Sequence, residues 1–138
     1  MQVSEEAMRT YGRVHKLFKD NEAIRPFSFK TAQSFICKAW KEEVGRDWRY
    51  PFHERTKRNS SSWLGYVRED ERYVHSRQIY SFGIATKGYD ANWKDLVHDL
   101  SHFIWQQRYY GRRHYSRSHH NADHACLELR LAKMVLDV

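Results

Sequence analysis

The sequence predicts an α+β domain, and three observations carry that expectation. Apolar residues recur at helical spacing in four separate stretches. Residues 46–86 replace that period with aromatic and β-branched residues set between turn formers. Hydrophobic residues make up 41% of the 138, with aromatics at 15%, which suffices to pack one core and excludes a disordered chain.

Each element follows in order. Over residues 4–22, Ala7, Met8, Tyr11, Val14, His15, Leu17 and Phe18 form one face opposite a charged one, and Pro26 closes the segment. Over residues 28–44, Phe29, Ala32, Phe35, Ile36, Ala39 and Trp40 form the stripe of a second helix, with Gly45 past its end. RYPFHERTKR, SSWLGYVRED and YVHSRQIYSFGIA then read as two or three short strands, the clearest at 77–85. After the turn KGYDAN, Asn92 is a good N-cap with Asp95 three residues on. Trp93, Leu96, Val97, Leu100, Phe103 and Ile104 are the buried stripe of a third helix. An arginine-rich polar loop runs from about residue 109 to 119, and a last helix, apolar on most sides, runs from about 121 to the end. The expected organisation is one domain over 1–138, with a helical N-terminal part (1–45) and a core (46–138).

Charge and cysteines narrow the function classes. Lys and Arg number 24 against 17 Asp and Glu, a formal net charge of +7, which suits an anionic partner such as nucleic acid. The segment RYYGRRHYSR concentrates that charge. Arg108, Arg112, Arg113 and Arg117 can grip phosphates while the tyrosines among them stack on unpaired bases, and Lys57 and Arg58 could extend the surface. No helix-turn-helix, zinc-finger or RNP signature accompanies it. Cys37 and Cys126 lack ligand spacing and read as buried thiols of a reducing compartment. MQVSEEAMRTYGRVHK contains no apolar signal core, and no stretch reaches membrane-spanning length. The expectation is a cytoplasmic protein without membrane association.

The histidines point to a metal. Six of the nine fall between positions 98 and 124: His98, His102, His114, His119, His120 and His124. In LVHDLSHFIW, His98 and His102 stand four apart, so on a helix they share a face and can aim at one ion from the edge of the apolar stripe. Asp99 follows His98, where the H-E-x-x-H helix carries its general base, and could take a proton from an activated water. A catalytic zinc ion takes three protein ligands. His120 is the expected third, because it precedes the final helix and the seventeen residues from 103 to 119 let the chain reverse. His124, one turn along on the same face, and His119 are the alternatives.

At these residues the chain resembles the small single-domain zincin metallopeptidases of the SprT-like type, over roughly residues 62–138. The matching pieces are the strand RQIYSFGIA, the helix WKDLVHDLSHFI and the HNADH that opens a helix. The resemblance implies a small antiparallel or mixed sheet of about three strands packed on a metal-binding helix, with further helices at both ends. It implies a zinc ion held by His98, His102 and His120, with Asp99 in the place of the glutamate base. It also implies a peptide or protein substrate, paired along the exposed edge of the strand near 79–84. The pattern departs at two positions: Asp99 is one methylene shorter than glutamate, and Asn121 stands where the family often has glycine. Two other readings fit the same residues, a basic nucleic-acid-binding domain with structural histidines and an inactive, metal-stabilised relative of the zincins.

Overall fold

A computed structural model describes residues 3–21, 26–55, 65–68, 80–89, 91–109 and 120–137. Four helices and three strands follow in the order α1 (Glu5–Asn21), α2 (Phe29–Val44), β1 (Phe52–Arg55), β2 (Gly65–Arg68), β3 (Tyr80–Ala85), α3 (Trp93–Tyr109) and α4 (Ala122–Leu136).

The helices begin and end where local chemistry requires. Ser28 caps α2 through a capping box with Thr31, and Gly45 ends it in the left-handed region at φ 83°, donating its N–H to the Lys41 carbonyl. Asn92 Oδ1 accepts from the Asp95 N–H at 2.8 Å to open α3. Asn121 does the same for α4, accepting from the His124 N–H at 2.8 Å. This explains the departure at position 121: an N-cap side chain occupies it.

The core lies where the expected stripes meet. Trp93, Leu96, Val97, Leu100, Phe103 and Ile104 of α3 are all buried, as are Ala32, Phe35, Ile36, Ala39 and Trp40 of α2. Trp40, Trp48, Tyr50, Phe82 and Phe103 pack edge-on or tilted around one another, and Trp48 stacks on Phe52, joining the sheet to both helices. Truncating a fully buried Leu96 or Leu100 to alanine would cost about 2–5 kcal/mol. Helix α4 packs against both α1 and α3, which is why it is buried on most of its faces. Arg130 braces it to α2 through both carboxylate oxygens of Glu43, at 2.8 and 3.3 Å.

The sheet is mixed, with order β1-β3-β2: β1 runs parallel to β3, and β2 antiparallel. The strand expected at the exposed edge is therefore central, with neighbours on both sides. Its consecutive residues Phe82, Gly83, Ile84 and Ala85 are all buried, the signature of a strand covered on both faces. Position 79 lies outside the described residues.

Two further expectations change. Met8 is 56% exposed while Thr10 takes a buried place on α1, its hydroxyl donating to the Glu6 carbonyl. Cys37 and Cys126 are free but exposed, because each falls off the apolar face of its helix. Among the described residues no helix is long and apolar enough to cross a membrane.

Candidate metal centre

Helices α3 and α4 bring four imidazoles together. His98 and His102 project from successive turns of α3, half-buried at the edge of its apolar stripe, as the spacing predicts. His120 immediately precedes the cap of α4 and is exposed; His124, in its first turn, is fully buried. The Nε2 atoms of His98 and His102 are 3.2 Å apart, and those of His98 and His120 are 3.3 Å apart. In both pairs the nitrogens are closer than the ring centroids, at 4.7 and 5.2 Å, so the rings turn these atoms toward each other. Ligand atoms of His98, His102 and His124 likewise all lie within 4.8 Å of one another.

These separations fit a metal ion. Zinc–nitrogen bonds of 2.0–2.1 Å at a tetrahedral angle place two donor nitrogens about 3.3–3.4 Å apart, the spacing found here. Imidazole donors suit zinc and its transition-metal neighbours rather than magnesium or calcium. The donor set therefore defines the site as one able to hold a metal ion.

The groups behind the imidazoles strengthen the fit. Glu128, two turns beyond the start of α4, is only 4% exposed. A carboxylate that deep requires a partner, and its Oε1 accepts a hydrogen bond from Nδ1 of His98. The proton on Nδ1 leaves Nε2 with its lone pair directed into the cluster, the usual carboxylate–histidine arrangement behind a bound metal. Burial lowers the His98 pKa, but the hydrogen bond and charge of Glu128, with the charges of Asp99 and Asp95, outweigh it and hold the value above the ordinary imidazole range.

Tyr11 of α1 completes the surroundings. Its hydroxyl lies 2.5 Å from Nδ1 of His124, and its ring packs against His98, His120 and His124. Burial, then the charge of Glu128, push the phenol well above its ordinary value, so it keeps its proton. Helix α1, outside the stretch that suggested a zincin, thus supplies part of the site.

Sequence reasoning found His98, His102, His120 and His124, and the fold brings all four together. Asp99 is half-buried beside His98, near enough for its charge to raise that imidazole. Sequence reasoning missed Glu128 and Tyr11. A signal existed for Glu128, a lone acid in the otherwise apolar ACLEL, four residues after His124. None existed for Tyr11, whose helix contacts the histidines only in three dimensions. His114, His119, Arg112, Arg113, Arg117, Lys57 and Arg58 lie outside the described residues, and Arg108 is described only as backbone in the last turn of α3.

No family model, curated protein or solved structure matches the chain.

Proposed function

We propose that the chain is a zinc-dependent, metallopeptidase-like hydrolase in which His98, His102 and His120 hold the ion and Asp99 is the general base. The observation that carries this reading is the pair of Nε2 separations, 3.2 and 3.3 Å, at the length of a tetrahedral edge. His124, whose ring stacks on His102 with centroids 3.8 Å apart, is the alternative third ligand, its ligand atom lying within 4.8 Å of those of His98 and His102. His120 is preferred to His124 as third ligand because its Nε2 lies 3.3 Å from that of His98 and its ring is exposed at the open side of the site. His124 then forms the buried wall of the site, anchored by Tyr11.

When bound, the ion supplies a Lewis acid that polarises a carbonyl and makes water nucleophilic near neutral pH. The chain's own groups do the rest. Glu128 fixes the tautomer and orientation of His98. Asp99 follows His98 in the position of the glutamate base, and its carboxylate takes the proton of the attacking water and returns it to the leaving nitrogen. The half-buried setting of His98 and His102 and the exposure of His120 leave one side open to substrate.

The test combines metal content with turnover. Zinc should be lost in His120→Ala and retained in His124→Ala. Hydrolysis of an unfolded protein such as casein should stop on chelation, return with zinc, and fall about 100-fold or more in Asp99→Asn that still holds zinc. Retention of zinc in every variant without any turnover would instead mark a metal held for folding.

A further inference from the structure

A groove of about 510 Å³ leads away from the imidazoles between α1 and α3. Val3, Met8 and Val14 form its apolar side, while Tyr11, His98 and His120 close the metal end. Lys94 lines it too, one helical turn before His98 on α3. Its ammonium donates to Nδ1 of His15 on α1 at 2.7 Å, which holds the charge at the groove between the two helices.

We propose that this groove is the subsite for the C-terminal residue of a peptide, with Lys94 taking the terminal carboxylate and the apolar side of α1 taking the last side chain. The inference rests on the metal-centre reading above and adds a substrate class to it. The spacing supports it. One helical turn is about 5.4 Å, and one extended residue spans about 3.3–3.6 Å. A peptide whose last carbonyl meets the imidazoles therefore puts its carboxylate within reach of the flexible lysine. The charges also agree. Glu128 lines the same groove but is engaged by His98. Asp95 is held by the Asn92 amide at 2.8 Å. Among the described residues Lys94 has an imidazole, not a carboxylate, as its partner, so its positive charge is uncompensated at close range. Hydrolysis would add water across the last peptide bond, oxygen to the carbonyl carbon and proton to the amine nitrogen, releasing one apolar amino acid.

The experiment titrates cobalt-loaded protein with 2-isobutyl-3-mercaptopropanoic acid and with its primary amide, following the thiolate-to-cobalt absorption. The thiol serves the metal and the isobutyl group the groove, so the two probes differ only at the carboxylate. The acid should bind about tenfold or more tightly than the amide. Lys94→Met should bring that ratio to about one without changing cobalt uptake or amide affinity, and Lys94→Arg should preserve it. Equal binding of the two probes, or a preference that survives Lys94→Met, would overturn the subsite while leaving the metal centre intact. Failure to take up cobalt at all would remove the metal reading and this inference with it.

Discussion

Glu128, inside α4, accepts the Nδ1 proton of His98, inside α3, and the two helices are thereby joined through the candidate metal centre. The contact does two things at once. It pairs a carboxylate that is otherwise cut off from water, and it leaves Nε2 as the nitrogen of His98 available to a metal. Replacing Glu128 with Gln should therefore weaken zinc binding about 10–100-fold, the usual cost of removing such a supporting group. Competition against a chromophoric chelator measures it, and unchanged affinity would show that Glu128 serves packing alone.

The same contact predicts a pH dependence of the metal-free protein. The folded-state pKa of His98 lies above its ordinary value of 6.5. The stabilisation from this pair is therefore fully present below about pH 6.5 and is lost as pH rises through the raised value. Metal uptake runs the other way, because a proton on His98 Nε2 competes with the ion, so affinity should fall as pH drops through that window. Urea unfolding of chelator-treated protein across pH 5–9 should show a decline toward high pH that Glu128→Gln flattens.

Tyr11 ties the first helix to the histidines, and the variant Tyr11→Phe removes only the hydroxyl. Loss of its hydrogen bond to His124 should cost about 1 kcal/mol of stability. The imidazole wall should loosen with it. Thermal unfolding of the metal-free and zinc-loaded forms separates the two effects, with the larger loss expected when zinc is bound. Equal losses in both forms would confine Tyr11 to packing.

Asp99 is the shortest acid that could serve as base. Asp99→Asn should reduce turnover about 100-fold or more while keeping zinc, as expected for removal of a general base. Asp99→Glu adds the methylene that separates this chain from the H-E-x-x-H pattern and should retain or raise turnover. Steady-state hydrolysis with zinc content measured on the same samples checks both.

Much of this arrangement was legible in the residues. Helical periodicity placed all four helices, since each buries a continuous stripe, and the i, i+4 spacing of His98 and His102 already required a shared face. The convergence of His120 followed from its place just ahead of a helix that had to pack back on α3. The central place of β3 was not legible, and an exposed edge was expected instead, because four successive buried residues in a short strand do not reveal which neighbours cover them. Tyr11 was not legible either, because its distance from His124 along the chain is bridged only by the packing of α1 on α4. The exposed cysteines show the limit of composition: a thiol type that is usually buried faces outward here because its helix position does.

The most direct test of the metal centre is elemental analysis of the purified protein beside its His98→Ala and His102→Ala variants. The account predicts about one zinc ion per wild-type chain, with less than about a tenth of that in either variant. A wild-type protein without bound metal after zinc supplementation, or metal content unchanged when His98 is removed, would contradict it.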